Sequence, residues 1–257
     1  MIKVYSCNVN GIRSAMSKNL TDWIEDQNLD VLCFQELKAQ EDQIDISAFE
    51  KMGFHCYWYP AVKKGYSGVG IISKKKPIQV IKGNNIDWHN QEGRVIRADF
   101  EELSILSIYF PSGSSGDERQ FLKMQFLSEI NEYLNDLRKE KSKLLVCGDF
   151  NICHKPIDIH DPVGNKDSSG FLPEEREWME QYLSNGFIDS FRNFNSNPHQ
   201  YTWWSFRANA RANNKGWRID YISATDNLKS HLVSAAIHAD AKHSDHCPIS
   251  VTLDIDL

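Results

Sequence analysis

The sequence predicts a mixed α/β fold in which two packed β-sheets are covered by helices. Short apolar or alternating runs of strand length recur along the whole chain, and segments with helical periodicity lie between them. Elements of this kind bury their apolar faces by packing in layers. The 257 residues contain no proline-, glycine- or serine-rich linker and no internal repeat, so we expect one domain that spans residues 1–257.

The predicted strands share a short length and a content of branched or aromatic residues. They are residues 3–9, 31–35, 69–73, 95–100, 104–109, 144–147, 218–223, 235–238 and 249–253.

Three segments are predicted to be helices. Residues 173–184 begin with proline, carry two glutamates in the first turn and are followed by a glycine, which are the usual signals of a helix start and stop. Residues 19–27 are a further candidate. Residues 117–139 show helical periodicity. The predicted apolar face of this last helix consists of Phe121, Leu122, Phe126, Leu127, Ile130, Leu134 and Leu137.

The charge balance is uneven along the chain. The formal net charge of −6 argues on average against a nucleic-acid partner, because phosphate binding favours basic surfaces. Residues 61–76, however, contain five lysines and no acid, and residues 201–218 contain four basic residues and no acid. An acidic site between basic patches is consistent with both observations.

The amino-terminal residues lack the apolar stretch of a signal peptide, and no apolar run is long enough to span a membrane. We therefore expect a cytoplasmic protein without membrane contact, associated with the nucleoid if it is bacterial. The six cysteines show no close-paired spacing, which indicates reduced thiols rather than a zinc site or a disulfide framework. A monomer is expected.

Polar side chains stand at the ends of the predicted strands. Asn8, Glu36 and Tyr109 each end a strand, and Asp149 and Asn151 follow residues 144–147. Because a sheet holds its ends rigid, such side chains can project together into a cleft. On extended backbone, residues two apart point the same way, so Asp149 and Asn151 could together hold a water molecule or a phosphate oxygen. Each residue taken singly also has a structural explanation, as a turn residue or a solvated strand end.

Two further positions carry acids near the end of the chain. Asp220 lies inside an apolar run, where an unpaired carboxylate is costly. Asp245 and His246 are adjacent and precede the last strand, so their side chains should diverge toward different partners. His246 could equally be a core histidine. The set as a whole is consistent with an acidic metal site that includes a histidine.

Residues 201–217 interleave aromatic and basic side chains. Trp203 and Trp204 precede a stretch with basic residues that include Arg207, and Trp217 follows it. Aromatic rings among cations suit a surface that binds phosphates and packs an unstacked sugar. The alternative is that these rings belong to the core, which applies most strongly to Trp204.

Nine segments in order make the chain similar to the exodeoxyribonuclease III and apurinic/apyrimidinic (AP) endonuclease family, within the wider endonuclease/exonuclease/phosphatase superfamily. They are residues 8–13 (Asn-Val-Asn-Gly-Ile-Arg), 35–38 (Gln-Glu-Leu-Lys), 65–69 (Gly-Tyr-Ser-Gly-Val), 109–111 (Tyr-Phe-Pro), 148–151 (Gly-Asp-Phe-Asn), 170–176 (Gly-Phe-Leu-Pro-Glu-Glu-Arg), 201–204 (Tyr-Thr-Trp-Trp), 217–221 (Trp-Arg-Ile-Asp-Tyr) and 244–248 (Ser-Asp-His-Cys-Pro).

The resemblance implies a four-layered αββα sandwich of two mixed sheets, with the site in a cleft between their loops. It also implies a Mg²⁺ cofactor, with Mn²⁺ as a substitute. Glu36 would be the main metal ligand and Asn8 would order the site, while Asp245 would lie in or beside the outer shell of the metal. Oxygen ligands and retained water suit Mg²⁺. Asn10 departs from many relatives, which have an aspartate at this position near the metal.

The resemblance further assigns catalytic roles. Asp149, positioned by Asn151 and near the metal with it, would orient or deprotonate the attacking water. His246 would donate to a phosphate oxygen, with Asp220 fixing its tautomer. Tyr109 would hydrogen-bond the phosphate.

The implied substrate is duplex DNA with abasic sites or blocked 3′ ends. The reaction would be hydrolysis 5′ to the abasic sugar, leaving a 3′-hydroxyl and a 5′-deoxyribose phosphate, accompanied by 3′-phosphodiesterase and 3′-to-5′ exonuclease action. Trp203 and Trp217 would wall the sugar pocket, Arg207 would reach into the duplex, and Asn165 would contact DNA.

Three other functions compete with this interpretation. The first is another phosphoesterase of the superfamily, such as a sphingomyelinase, an inositol phosphatase or a DNase I-like nuclease. The second is an enzyme that trims 3′ ends without incising abasic sites. The third is a non-catalytic DNA-binding protein, which the acids and His246 disfavour because a pure binder gains nothing from carboxylates beside phosphates.

Overall fold

The first and last strands of the chain pair with each other in one of two six-stranded sheets. The computed structural model describes residues 1–257. The strands are β1 Ile2–Asn8, β2 Val31–Gln35, β3 His55–Tyr59, β4 Val69–Ser73, β5 Gln79–Lys82, β6 Val95–Asp99, β7 Ser104–Tyr109, β8 Leu144–Asp149, β9 Phe187–Asp189, β10 Asp220–Thr225, β11 Leu232–Ile237 and β12 Ile249–Leu253. One sheet has the order β11-β12-β1-β2-β4-β3 and the other has the order β5-β6-β7-β8-β10-β9.

Seven α-helices flank the sheets. They are α1 Ile12–Met16, α2 Leu20–Gln27, α3 Ile46–Lys51, α4 Asp87–Gln91, α5 Asp117–Glu140, α6 Pro173–Ser184 and α7 Ser190–Phe194. None of them is both long enough and apolar enough to cross a membrane.

Three apolar clusters define the layers. The largest contains inward-facing residues of both sheets, such as Val4 and Leu145, and fills the space between them. A second cluster packs α1, α2 and α3 against the outer face of the first sheet, and a third packs α5 and α6 against the outer face of the second. The molecule is thus the four-layered αββα sandwich implied by the resemblance, with two mixed sheets.

The strand directions bring several strand ends to one edge of the sandwich. Each sheet contains one parallel pair, β1 with β2 and β7 with β8. Strand β12 runs antiparallel to β1, and β10 runs antiparallel to β8. The carboxyl ends of β1, β2, β7 and β8 therefore lie beside the amino ends of β10 and β12.

All nine predicted strands and all three predicted helices are present, with shifts of a few residues at some ends. Three strands and four short helices were not predicted. Strands β3, β5 and β9 are sheet-edge or short strands with partly exposed residues, so their sequences lack a continuous apolar signal. The short helices, α1, α3, α4 and α7, have too few turns to show a period.

The predicted apolar face of α5 was wrong at one position. Phe121 is exposed, with 69% of its surface accessible, whereas Lys123 two residues later is completely buried. The remaining predicted residues lie on the packed side, except that Leu122 is only half-buried. The face turned toward the sheet therefore includes a lysine, for which the apolar period gives no warning.

Candidate active site

Polar residues from both sheets meet at the edge where the strand ends converge. Asn8 ends β1, Tyr109 ends β7 and Asp149 ends β8, while Asp220 begins β10. Asp149 is the direct register partner of both Tyr109 and Asp220 on its neighbouring strands. The sheet itself thus sets the spacing of these side chains. Asp220 stands at the start of its strand rather than inside it.

Asn8 joins the two sheets. Its completely buried side-chain amide donates to Glu36 Oε2 at 3.1 Å and to Asp149 Oδ2 at 2.8 Å. Its carbonyl oxygen accepts the backbone N–H of Asn10 at 2.9 Å. With every polar atom of its side chain used, Asn8 cannot rotate without breaking several buried hydrogen bonds, so it fixes the two carboxylates relative to each other.

Glu36 follows β2 in the left-handed region, with a φ of 58°. The Nζ of Lys38 lies 2.9 Å from Glu36 Oε1 and donates to Asn10 Oδ1 at 2.6 Å. The Glu36 carboxylate thus faces the cleft between an amide donor and an ammonium group. A fixed carboxylate that faces the cleft in this way can stabilise a bound cation.

The turn after β8 brings Asn151 back onto Asp149. The backbone N–H of Asn151 donates to Asp149 Oδ1 at 2.9 Å, and its side-chain amide donates to Phe110 O at 3.0 Å and to Asp149 Oδ2 at 3.3 Å. Asn151 has a φ of 54°, so the two side chains meet through a left-handed turn. The expected pairing is present, but its predicted cause, an extended backbone, was wrong.

His246 is held by Asp220. Its Nδ1 lies 2.9 Å from Asp220 Oδ2, so this nitrogen carries the proton and donates to the carboxylate. Burial opposes a charge on the ring, but Asp220 and Asp149 outweigh burial and raise the pKa of His246 well above its usual value. His246 Nε2 is 3.9 Å from Asp149 Oδ2, longer than a hydrogen bond. Its N–H therefore remains available to another acceptor.

The environment of Asp149 is balanced between burial and positive charge. Burial raises the pKa of its carboxyl group above the ordinary value, and the neighbouring Asp220 acts in the same direction. His246 and the hydrogen bond from Asn8 lower it. A carboxylate in this environment can accept a proton more readily than an exposed one.

Asp245 and its neighbour His246 have different partners, as their adjacency predicted. Its carboxylate accepts hydrogen bonds from Asn10 Nδ2 at 2.9 Å, Trp203 Nε1 at 3.0 Å and Ser244 Oγ at 3.1 Å. Burial alone would raise the pKa of Asp245, but His246 and these donors lower it. Asp245 is therefore an anion that ties the Glu36 side of the cleft to the Trp203 ring.

Tyr109 packs against the buried Arg94. Arg94 Nη1 donates to the carbonyl oxygen of Tyr109 at 2.7 Å, and its guanidinium lies 5.0 Å from the ring centroid. Burial, followed by the charges of Glu36 and Asp149, raises the pKa of the Tyr109 hydroxyl strongly. Tyr109 thus remains a hydrogen-bond donor at neutral pH.

An apolar pocket adjoins these polar groups in the same cleft, which has a volume of about 820 Å³. Trp203 and Trp217 meet edge to face at 5.9 Å between ring centroids, and Ile219 lies beside them. Gly170 forms the floor, where an added Cβ would lie 2.9 Å from the Trp217 ring and 3.1 Å from Asn151 O. Only a glycine allows this approach.

The four predicted DNA contacts do not all lie in the cleft. Trp203 and Trp217 line it, whereas Asn165 and Arg207 do not. The side-chain amide of Asn165 donates to the carbonyls of His160 and Asp161 within its own loop. Arg207 is exposed on the loop that follows the second tryptophan of the 201–204 motif. Both stay predictions.

Two basic residues of the 201–218 segment have structural roles instead. Arg211 donates to the carbonyls of residues 239, 241 and 244, and its guanidinium lies over the buried Trp204 ring. Arg218 is buried between Asp158 and Asp189. The prediction that residues 201–217 form a phosphate-binding surface was therefore wrong for Arg211, and Trp204 is a core residue.

Several residues of the cleft escaped the sequence analysis. Lys38, Gln120 and the turn of Ser168 and Ser169 line it. Lys38 and Gly170 belong to matching motifs, which was the available signal, but their contacts depend on distant segments. Gln120 lies in the first turns of α5, where nothing in the local sequence distinguishes it.

Two groups of atoms could hold a cation. Ligand atoms of Asp149, Asp220 and His246 lie within 4.8 Å of one another. However, Asp220 and His246 satisfy each other through a hydrogen bond, and Mg²⁺ prefers oxygen ligands to imidazole. The oxygens of Glu36 and Asp149, bridged by Asn8, are the better donor set for a hard cation.

Buried carboxylates, an Asp–His pair and a protonated tyrosine in one cleft define a hydrolytic site at the edge of an αββα sandwich. The comparisons with known proteins give the class a name. The sequence profile of the Endonuclease/Exonuclease/phosphatase family matches residues 5–246, and the chain belongs to this family.

Individual relatives agree over nearly the whole chain. The chain is 40% identical to an exodeoxyribonuclease of Bacillus subtilis over 99% of this chain and 100% of the relative. It is 38% identical to the DNA repair nuclease APEX1 of Danio rerio, over 99% of this chain and 83% of the relative. An AP endonuclease structure from Archaeoglobus fulgidus superimposes with a TM-score of 0.91 at 30% identity, covering 99% and 100% of the two chains. The protein is therefore a nuclease of this family, whose members are typically metal-dependent.

Proposed function

We propose that the protein incises duplex DNA on the 5′ side of abasic sites. One observation carries this proposal: the hydrogen-bonded carboxylates with His246 open into the same cleft as the pocket walled by Trp203 and Trp217. The first part suits hydrolysis of a phosphodiester, and the second suits an unstacked sugar that has no base. The similarity to AP endonucleases and an exodeoxyribonuclease supports the same substrate class.

In this proposal each residue of the cleft has one role in an in-line displacement at phosphorus. Asp149, oriented by Asn151, holds the attacking water and takes its proton. His246, kept charged and oriented by Asp220, donates from Nε2 to a phosphate oxygen, and Tyr109 donates to another. A bond forms between the water oxygen and phosphorus, the bond from phosphorus to the 3′-oxygen of the preceding nucleotide breaks, and this leaving oxygen takes a proton from solvent. The products are a 3′-hydroxyl and a 5′-deoxyribose phosphate.

The donor set fits Mg²⁺, with Mn²⁺ as its substitute. Glu36 would be the main ligand, with Asp149 and Asn151 nearby and Asp245 in the outer shell. Asn8 would hold the two principal carboxylates in place rather than contribute a strong ligand, because its side-chain oxygen is buried and already accepts the backbone N–H of Asn10. A bound cation of this type supplies Lewis-acid stabilisation of charge on the phosphate and on the leaving oxygen.

The rim of the cleft would hold the duplex. Arg207 would reach into the helix from its exposed loop, and Asn165 would contact the backbone through the loop that it orders. Removal of 3′-blocking groups and 3′-to-5′ exonuclease action require the same attack at a strand end. We propose that the chain acts as a monomer with one catalytic domain, residues 1–257, in the compartment that holds the chromosome, namely the cytoplasm at the nucleoid in a bacterial cell.

A labelled duplex with a single tetrahydrofuran abasic analogue tests this function. We expect incision 5′ to the analogue in Mg²⁺ and none in EDTA. Trimming of 3′ ends without incision at the analogue would replace the proposal with a 3′-phosphodiesterase. Hydrolysis of lipid or inositol phosphates but not of DNA would contradict it entirely.

A further inference from the structure

An ion pair lies beneath the cleft, shielded from solvent. Lys123 on α5 and Glu175 on α6 are both completely buried, and Lys123 Nζ is 2.6 Å from Glu175 Oε1. Apolar residues of similar volume usually stabilise a protein as well as a buried ion pair does, because removing two charges from water is costly. The location of this pair under the cleft therefore points to a role beyond stability.

Lys123 also holds the turn that follows β8. Its Nζ donates to the backbone carbonyl of Asn151 at 2.7 Å. The peptide that carries this carbonyl belongs to a left-handed turn, and the Asn151 side chain donates to Asp149. A rotation of this peptide would move the side-chain amide of Asn151, and Asp149 would then lose the hydrogen bond that this amide donates. Lys123 blocks this rotation from below the cleft.

Glu175 holds the opposite side of the cleft floor. Its Oε2 accepts the backbone N–H groups of Gly170 at 2.6 Å and of Leu172 at 3.0 Å. Gly170 lies directly under the Trp217 ring. A displacement of this loop would thus change the shape of the apolar pocket.

Gln120 connects the ion pair to the cleft surface. Its Nε2 donates to Glu175 Oε1 at 3.0 Å, and its Oε1 accepts from Ser169 Oγ at 2.7 Å. Gln120 and Ser169 line the cleft, whereas Lys123 and Glu175 do not. The pair acts only through the residues that it holds.

We propose that Lys123, paired with Glu175, is a positioning residue that fixes Asp149 and Asn151 relative to the apolar pocket. One end of the pair holds the Asn151 carbonyl and the other holds the floor under Trp217. The part that concerns an abasic sugar in this pocket rests on the proposed function. The part that concerns Asp149 and Asn151 applies to any DNA that the cleft hydrolyses.

Three variants separate positioning from stability. Lys123→Met and Glu175→Gln each remove one partner, and both should lower the melting temperature because they break a buried pair. The double variant leaves no buried charge without a partner, so its melting temperature should exceed those of both single variants. Its kcat should nevertheless fall by about 10- to 100-fold, with KM changed by less than about threefold, because the Asn151 carbonyl has lost its donor.

A matched control lies on the same helix. Leu134→Ala truncates a buried apolar side chain that lies three helical turns, roughly 16 Å, along α5 from Lys123. It should lower the melting temperature and leave kcat at the wild-type value at a temperature where the protein is folded. Equal losses of kcat in this control and in the double variant would assign both to stability and overturn the proposal.

The assay uses two substrates in parallel, the abasic analogue duplex and a duplex with a recessed 3′ end. A wild type that degrades only the recessed end contradicts the proposed function but leaves the comparison of kcat values intact. A double variant with a kcat within about twofold of wild type on whichever DNA the wild type cleaves would overturn the positioning role.

Discussion

The reaction centre and the outer rim of the cleft are built in different ways. The reaction centre (Asn8, Glu36, Asp149, Asp220 and His246) stands on or directly beside strand ends and is tied together by hydrogen bonds of 2.8–3.1 Å. The outer rim (residues 160–169 and 205–216) consists of loops with many exposed side chains. The apolar pocket lies between them.

This difference separates chemistry from substrate binding. A side chain at a sheet end cannot move without breaking buried hydrogen bonds, so its geometry is fixed before substrate arrives. A side chain on an exposed loop can adapt to the backbone of a duplex. Substitutions in the reaction centre should therefore reduce turnover, whereas substitutions in the rim should mainly weaken binding.

The largest effect is expected at the reaction centre. Asp149→Asn and His246→Asn should each lower kcat by about 10²- to 10⁴-fold, because they remove the proton acceptor and the phosphate donor. Single-turnover incision of the abasic analogue measures this step directly. Circular dichroism should show a folded protein. Near-normal cleavage by either variant would assign these residues a structural role only.

A second test concerns the metal. Glu36→Gln replaces an anionic ligand with a neutral one, so the Mg²⁺ concentration for half-maximal incision should rise by about 10- to 100-fold. Glu101→Gln, at an exposed position outside the cleft, is the control. An unchanged Mg²⁺ titration for the Glu36 variant would show that Glu36 is not a ligand.

The apolar pocket should respond to an intermediate degree. Trp217→Ala should lower kcat/KM on the abasic analogue by about 10- to 100-fold, the equivalent of roughly 1.5–3 kcal/mol of lost apolar contact. Exonuclease action on an undamaged recessed end should fall less, since it does not depend on a base-free sugar in the pocket. Equal losses on both substrates would contradict a sugar-specific role of Trp217.

The smallest effect is expected at the rim. Arg207→Ala should weaken DNA binding by about threefold to tenfold and leave kcat unchanged. The slope of the logarithm of the binding constant against the logarithm of the salt concentration should become shallower by about one, because one phosphate contact is lost. Fluorescence anisotropy across a salt series measures both. Lys139→Ala is the control, because Lys139 is an exposed cation roughly 28 Å along α5 from Gln120. If the Arg207 variant has the same salt-dependence slope as the wild type, Arg207 does not contact the DNA backbone.

The same contrast explains what could be predicted. The core strands carry local signals, and the acids and amides at their ends stand in recognisable motifs, so Glu36, Asp149 and His246 were candidates from the sequence. The loops carry weaker signals. Arg211 and Arg218 contribute to the basic charge of residues 201–218, but each is committed to carbonyls or carboxylates of distant segments. Local sequence does not reveal which distant groups a long side chain will meet.

The sequence by itself determined the layered α/β fold, because apolar periodicity dictates which segments must be buried. It also indicated the type of chemistry, because its nine ordered motifs resemble those of a nuclease family, although the carboxylates, amides and histidine taken singly also fit turn or core positions. Only the tertiary structure decided that α5 buries Lys123 and exposes Phe121, and that Asn8 joins the two sheets. These outcomes depend on contacts between residues far apart in the chain, whose partners exist only once both sheets and their helices have packed.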